Sequence, residues 1–131
     1  LDVVGNVLAG DDGNHSGACS KSEALLQELG LGHRLNHLPN QLSAGEKQRV
    51  ALARAMVASP DLILADEPTG NLDPENSKEV CRHLKRYQEK GGTVIVVTHG
   101  DAVHDFANRT IDLKAGEIIP GPLLDPQSDE A

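Results

Sequence analysis

A strand that ends in two carboxylates constrains this chain more than any other feature of its sequence. Residues 62–65 form a short unbroken apolar run, which is typical of a parallel strand buried on both faces. Asp66 and Glu67 follow directly, and Pro68 fixes the exit of the chain, so a solvated acidic turn is the weaker alternative. The carboxyl ends of parallel strands face the ligand crevice of an open α/β sheet. The acidic pair is therefore placed to hold a metal ion and to activate a water molecule.

A capped helix precedes this strand. Ser43 and Glu46 form the S-x-x-E pattern of a capping box, which predicts a helix that begins near Ala44. Gly45 lies in the first turn, where the missing side chain lets a ligand approach amides that have no helical partner. This helix end is a candidate anion site, and the same pattern on its own is an ordinary cap in most proteins.

Four motifs, in this order and spacing, resemble the nucleotide-binding domain of ABC transporters. LSAGE at residues 42–46 resembles the signature motif, and LILADEP at residues 62–68 resembles Walker B. NLD at residues 71–73 resembles the D-loop, and TVIVVTH at residues 93–99 resembles the strand that ends in the switch histidine. The phrase ADEPTGNLD is also similar to the lipoprotein-release and macrolide-export branch of bacterial ABC ATPases. The resemblance is strong over residues 36–119.

The resemblance implies ATP and Mg²⁺ as cofactors and gives seven residues a role. Glu67 matches the catalytic base, which orients the attacking water, and His99 matches the switch histidine, which reaches the γ-phosphate. Asp66 matches the residue that holds magnesium. Asp73 is equally compatible with a simple helix N-cap. The residues that match positions near the nucleotide are Ser43, Gly45, Glu46 and Asp73.

The resemblance also implies two partners. In the family, two domains pair head to tail, so that each ATP lies between the P-loop of one subunit and the signature motif of the other. The implied partners are a second nucleotide-binding domain and a transmembrane permease, which would hold the protein at the inner, cytoplasmic face of the cell membrane. The formal net charge of −8 argues against a nucleic-acid partner, because phosphate contacts need a basic face.

The phosphate-holding string of such ATPases, G-x-x-x-x-G-K-S/T, does not occur in the sequence. Residues 3–22 imitate a strand, a glycine loop and a helix, but Ser20 precedes Lys21 where a glycine is required. We expect a polar loop in this region, followed by a helix to Leu29 that begins at a capping box of Ser20 and Glu23.

The ends of the sequence predict a piece of a longer protein. The first residue is Leu1 and the only methionine is Met56, so we expect the chain to be the C-terminal half of an ATPase subunit. Without the P-loop strand, one side of the Walker B strand should be exposed. The two distant cysteines, Cys19 and Cys81, fit reduced thiols rather than a disulfide framework.

The predicted fold class is α/β, a parallel-sheet fragment of the P-loop NTPase type with part of the helical signature subdomain. Residues 1–60 are predicted to belong to the helical subdomain and residues 61–119 to the Walker B and switch half of the ATPase core. Residues 120–131 are predicted to be a disordered tail.

The connection between the Walker B strand and the switch strand follows from local signals. Asp73 predicts the N-cap of a helix that ends near Glu89. Residues 93–98, which are rich in β-branched side chains, predict a strand parallel to the Walker B strand. This arrangement places His99 at the same sheet edge as Glu67.

Three functions fit these motifs. The first is the ATP-hydrolysing subunit of an ABC transporter that powers export or lipoprotein release, here lacking Walker A and inactive alone. The second is a non-hydrolysing remnant that donates its signature motif to a partner ATPase. The third, an ABC-type ATPase of DNA repair, is disfavoured because no heptad pattern of a long coiled coil is present.

Overall fold

The structure of the chain, a computed structural model, describes residues 1–11 and 17–119. The α-helices of this part are Val3–Leu8 (α1), Ala18–Glu28 (α2), Ala44–Met56 (α3) and Pro74–Glu89 (α4). The strands are Leu62–Asp66 (β1), Thr93–Val97 (β2), Asp112–Lys114 (β3) and Glu117–Ile119 (β4). Short 3₁₀ helices lie at Gly32–Arg34, Pro39–Gln41 and Asp101–Phe106. Among the helices described, none is both long and apolar enough to cross a membrane.

A parallel pair of strands supports the candidate site. β1 pairs with β2 along five residues, from Leu62 opposite Thr93 to Asp66 opposite Val97. Helix α4 connects the two strands and packs beneath them, where Ile63 is 4% exposed. The strand–helix–strand unit confirms the predicted α/β class and the predicted parallel pairing.

A helical unit lies beside the sheet. Helices α1, α2 and α3 share a core in which Val7, Leu26 and Val57 have no exposed surface. Burial of such side chains contributes about 1.5–3 kcal/mol each. The segment before α3 is tied to α1 by the amide of Val3, which donates to the carbonyl of His37 at 3.0 Å.

The helix caps predicted around the motifs are confirmed. The Ser43 hydroxyl accepts a hydrogen bond from the Glu46 amide at 3.2 Å, and the Glu46 carboxylate accepts one from the Ser43 amide at 2.9 Å. Asp73 caps α4, Pro74 is its first residue and Glu89 its last. Side-chain and backbone signals within one turn were sufficient to locate these helix ends.

The first helix lies at residues 3–8, before the glycine-rich segment that is predicted to be a polar loop. Asp2 caps α1 by accepting a hydrogen bond from the Gly5 amide at 2.8 Å. Val3 and Val7 lie four residues apart, so both point into the core from one face of a helix. The rest of the predicted loop, at residues 12–16, lies outside the described residues.

The second helix begins earlier than predicted. α2 starts at Ala18, so the capping box proposed for Ser20 and Glu23 is wrong. Gly17 precedes the helix with φ of +101°, a left-handed conformation that glycine adopts readily. This backbone turn replaces the side-chain cap. The predicted disordered tail, residues 120–131, lies outside the described residues.

The sheet carries an exposed apolar face. Leu64 is 71% exposed, Val97 61%, Ile95 51% and Leu62 45%, whereas Ile63 between them is buried. The prediction of a strand buried on both faces is therefore wrong for this chain, because only the face toward α4 is covered. The prediction that one side of the Walker B strand is exposed is confirmed.

A cleft of about 710 Å³ separates this sheet from the β3–β4 hairpin. Its walls include residues of α4, β2 and the segment 110–113. Within the part of the chain that the structure describes, β2 pairs only with β1, and β3 only with β4. The hairpin turns at Ala115 and Gly116, with φ of +50° and +81°. One edge of β2 thus keeps backbone groups without a strand partner.

Gly45 brings the first turn of α3 against the start of α4. A Cβ atom at this position would lie 2.3 Å from Oδ1 of Asn76 and 2.6 Å from its Cγ. The Asn76 amide is held in place by the Asp73 carboxylate, to which it donates at 2.9 and 3.1 Å. Packing against α4 is therefore a reason for glycine here, in addition to the ligand approach expected from the sequence.

We predict that replacing exposed residues of the sheet face reduces self-association. The double variant Leu64→Thr, Val97→Thr places threonine, which favours strands, at both positions but removes apolar surface, so its sedimentation coefficient should depend less on protein concentration than that of the wild type. Ile63→Thr is the control, since it should leave association unchanged and lower the free energy of unfolding by about 2 kcal/mol. Unchanged association of the double variant would contradict the prediction.

We predict that Gly45→Ala destabilises the chain although alanine favours helices. The added methyl group overlaps the fixed Asn76 side chain, so the free energy of unfolding in urea should fall by about 1–3 kcal/mol. In an Asn76→Ala background the same substitution should cost much less, because Oδ1 and Cγ are removed and only the Cβ atom of residue 76, at 3.2 Å, stays close. An equal cost in both backgrounds would show that the contact with Asn76 is not its cause.

Candidate functional site

The carboxyl ends of β1 and β2 bring Glu67, Thr98 and His99 together. Oε1 of Glu67 lies 2.5 Å from Nδ1 of His99 and accepts a hydrogen bond from the His99 amide at 3.0 Å. Oε2 of Glu67 accepts one from the Thr98 hydroxyl at 3.1 Å. Because the strands are parallel, residues that follow them leave the sheet at one edge and meet there.

The backbone at Glu67 adopts an unusual conformation. Its φ is +46°, in the left-handed region, which costs a non-glycine residue about 1–2 kcal/mol. Two hydrogen bonds hold it there: its amide donates to the Val97 carbonyl at 2.8 Å, and its carbonyl accepts from the Gly70 amide at 3.2 Å. Strain of this kind is concentrated at functional sites, and here it directs the carboxylate toward His99.

The surroundings of Glu67 favour its ionised form. The His99 side chain is the main cause of the lowered pKa of Glu67, and hydrogen bonds from Thr98 and the His99 amide add to it. A carboxylate only accepts hydrogen bonds, so Nδ1 of His99 carries a proton in this arrangement. Nε2 of the ring, which is 88% exposed, can then donate to a further ligand only as an imidazolium.

Asp66 lies at the same edge with an unengaged carboxylate. It is exposed and makes no side-chain hydrogen bond or ion pair within the described part of the chain. No group of three acidic, histidine or cysteine side chains forms a metal site among residues 1–11 and 17–119. Mg²⁺ is commonly bound through one or two carboxylates together with substrate phosphates and waters, so Asp66 fits as one such ligand.

A second cluster forms the amino end of α3. Glu46 uses both carboxylate oxygens, one for the Ser43 amide and one for Nε of Arg34 at 3.0 Å. The Ser43 amide, followed by Arg34, lowers the pKa of Glu46. The amides of Ala44 and Gly45 lack helical partners in this first turn, where the helix dipole is positive. Glu46 thus holds the cap, and the two amides are the groups suited to an anion.

Asp73 begins α4 close to this cluster. Its Oδ1 accepts a hydrogen bond from the Asn76 amide at 2.7 Å, and this bond is the main cause of the lowered pKa of Asp73. Asn76 also contacts Gly45, so the first turns of α3 and α4 meet through one side chain. The cap function of Asp73, left open by the sequence, is present in the structure.

The seven predicted residues therefore fall into two groups, Asp66, Glu67 and His99 at the sheet edge and Ser43, Gly45, Glu46 and Asp73 at the helix ends. Three further residues contribute contacts that the sequence reasoning missed. Thr98 directly precedes His99, and Asn76 lies three residues after Asp73, the N-cap of α4. The positions of these two residues in the sequence could therefore have indicated their contacts. Arg34 carried no such signal, because its pairing with Glu46 depends on the tertiary fold.

Comparison with known proteins places these motifs in a family. A family model described as ABC transporter matches residues 6–70. The lipoprotein-releasing system ATP-binding protein LolD of Geobacter metallireducens is 49% identical over 105 residues, which are 79% of this chain and 47% of LolD. The macrolide export ATP-binding/permease protein MacB of Shewanella sp. strain ANA-3 is 47% identical over 124 residues, 91% of this chain and 19% of MacB.

Solved structures agree with the sequence relatives. The dimeric structure of MJ0796, a bacterial ABC transporter cassette, superimposes with a TM-score of 0.77 at 40% identity, over 90% of this chain and 54% of that one. The chain thus spans about half the length of the cassette and of LolD. The motifs, the fold and these similarities lead to one assignment: the chain belongs to the ABC transporter family of ATP-binding proteins.

Proposed function

We propose that this chain provides the signature, Walker B and switch motifs of an ABC ATPase subunit, and that the whole protein hydrolyses ATP to power export or lipoprotein release. The observation that carries this proposal is the ionised Glu67 beside His99 at the end of a parallel strand. ATP is the proposed substrate, with Mg²⁺ as its metal. The similarity to LolD and MacB supports the lipoprotein-release and macrolide-export branch of the family.

Glu67 is proposed as the base that accepts a proton from the attacking water. Oε1 already accepts two hydrogen bonds, both from His99, whereas Oε2 accepts only that of Thr98. A carboxylate oxygen has two lone pairs, so Oε2 keeps one acceptor position for a water. Thr98 and His99 would therefore orient the Glu67 carboxylate and still leave it one hydrogen-bond acceptor position for the water.

Asp66 and His99 are proposed to act on the phosphates from the same edge. Asp66 would hold Mg²⁺, which neutralises phosphate charge when it is bound. His99 would contact the γ-phosphate through Nε2, since Nδ1 is engaged by Glu67. The exposed imidazole has room for this contact without leaving its present position.

The amino end of α3 is proposed to act on a different nucleotide. The amides at Ala44 and Gly45, with the Ser43 hydroxyl, would contact ATP held by a second subunit in a head-to-tail dimer. Glu46 and Asp73 would hold these groups in place through the two caps. The dimeric form of the related MJ0796 cassette supports a paired arrangement.

The phosphate cradle is proposed to come from sequence beyond these 131 residues, which contain no P-loop string. The 710 Å³ cleft and the unpaired edge of β2 offer space and backbone partners for an additional strand. Residues 1–60 would then be part of the helical subdomain and residues 61–119 half of the ATPase core.

A second candidate function follows from the absence of a P-loop string in these 131 residues. The signature end is complete in this chain, whereas the P-loop string is absent, so the chain could donate its α3 terminus to a complete ATPase without hydrolysing ATP itself. Both functions predict that the chain restores turnover to a relative whose own signature serine is mutated, so that mixture does not separate them. A G-x-x-x-x-G-K-S/T string encoded upstream in the same reading frame would exclude the second function, and a reading frame without one would exclude the first.

The proposed partners beyond a second ATPase domain are permease subunits. Membrane association would occur through them, at the cytoplasmic face. A nucleic acid is not a proposed partner, since the net charge of −8 opposes phosphate binding over a broad surface.

We predict that Glu67→Gln in the full-length protein abolishes ATP hydrolysis while ATP binding persists. The amide keeps the shape of the side chain but cannot accept the water proton at neutral pH. Steady-state phosphate release should fall at least about a hundredfold, and the closed dimer should accumulate with ATP. Glu75→Gln, in the first turn of α4, is the control and should hydrolyse ATP normally. Normal turnover of Glu67→Gln would exclude Glu67 as the base.

We predict that His99→Ala raises the pKa of Glu67 toward its ordinary value, because it removes the largest cause of the lowering. Thr98→Val should raise it less. In the wild type, ionised Glu67 stabilises the fold above its unfolded pKa, and this contribution is lost as pH falls through the lowered folded pKa. Titration of the Glu67 carboxyl carbon by NMR measures the change. A pKa unaffected by His99→Ala would show that the contact does not persist in solution.

A further inference from the structure

A second cleft, of about 330 Å³, lies far from the candidate nucleotide site. It is bounded by α2, the end of α3 and the second half of α4. Its Tyr87 hydroxyl donates to the carbonyl of Pro60, which precedes β1, whereas Glu67 and His99 follow the opposite ends of the strands. The volume falls in the range of small-molecule sites.

The floor of this cleft is apolar. Leu29 and Met56 are 2% and 7% exposed, and Leu25 and the ring of Tyr87 add to the same surface. The polar end of Tyr87 is already hydrogen-bonded to Pro60. The floor can therefore bury an apolar group without leaving a polar atom unpaired.

The rim of the cleft is cationic although the protein is acidic. Lys21, Arg86 and Lys90 face a single carboxylate, that of Glu28. Lys90 pairs with Glu28 at 3.0 Å, and their contact is the main cause of the lowered pKa of Glu28. Within the described residues Lys21 donates to a neutral hydroxyl, and Arg86 makes no ion pair, although its charge also lowers the pKa of Glu28. The cations of the rim thus outnumber its carboxylate, although the net charge of the chain is −8.

Two side-chain bridges connect the helices that border the cleft. Nζ of Lys21 donates to the Ser59 hydroxyl at 3.0 Å, which ties α2 to the end of α3. The Lys90–Glu28 pair ties α2 to the end of α4. Residues 21 and 28 stand two helical turns apart, so the bridges lie toward opposite ends of the cleft.

We propose that this cleft binds a small organic anion with a short apolar body. Arg86 and Lys21 pair with its carboxylate or phosphate group, and the body lies on Leu29 and Met56. Arg86 favours such groups because its planar guanidinium donates two parallel hydrogen bonds to them. The inference is independent of the proposed ATPase function, since none of these residues belongs to that site.

The test uses His83, which lines the cleft, as a reporter. Its ring resonances are followed by NMR in the whole chain during titration with octyl phosphate, octanoate or inorganic phosphate, each below any micelle concentration. We expect saturable shifts with the two amphiphiles and at least about tenfold weaker binding of inorganic phosphate. The amphiphile that binds more tightly identifies whether the cleft prefers a phosphate or a carboxylate group. The resonances of His104, which lines the other cleft, should stay unchanged.

Matched variants assign the binding to the rim. Arg86→Gln should weaken binding at least about tenfold, because it removes the charged hydrogen bonds from the guanidinium to the acidic group of the ligand. Arg82→Gln, one turn earlier on α4 and outside the cleft, should bind like the wild type. The proposal is wrong if the amphiphiles leave His83 unshifted, if His104 shifts instead, or if both variants bind equally well.

Discussion

The parallel pairing of β1 with β2 is the interaction on which the candidate site depends. Because Asp66 lies opposite Val97, the next residues of each strand leave the sheet side by side, and the Glu67 amide extends the ladder to the Val97 carbonyl. A slip of one residue would turn every side chain of one strand to the other face. The Glu67–His99 contact would then be lost, and the strained turn at Glu67 would lose its support.

Helix α4 links this sheet edge to the signature end. Its first turn packs Asn76 against Gly45, and one turn later Glu79 pairs with Arg49 of α3 at 2.7 Å. Farther along, Leu84 is buried in the shared core. One helix thus touches α3 at its start and joins β1 to β2 through its whole length. Helix α4 therefore contacts both the amino end of α3 and the strand pair, so the two groups of predicted residues lie on one packed unit.

Local signals predicted more of this structure than long-range ones. The caps at Ser43 and Asp73 were predictable because each is decided within one turn. The βαβ unit followed from the apolar run before α4 and the β-branched run after it. Gly17, in a left-handed backbone conformation, precedes α2 in place of the expected side-chain cap. No pattern in the amino-acid sequence indicated this conformation. The pairing of Arg34 with Glu46 was likewise beyond reach, since only the tertiary fold brings these side chains together.

The failure at β1 is informative about the protein as a whole. An apolar run such as residues 62–65 is typical of a strand that is buried on both faces of its sheet. The described residues cover only one face of this sheet, and Leu64 and Ile95 on the other face are exposed to solvent. β2 has an unpaired edge on the same sheet, beside a cleft wide enough for further structure. An exposed apolar face and an unpaired edge are both unfavourable in isolation, and a single additional strand and helix would relieve both. The proposed P-loop half would therefore cover the same apolar face and strand edge that the packing of the described residues leaves open.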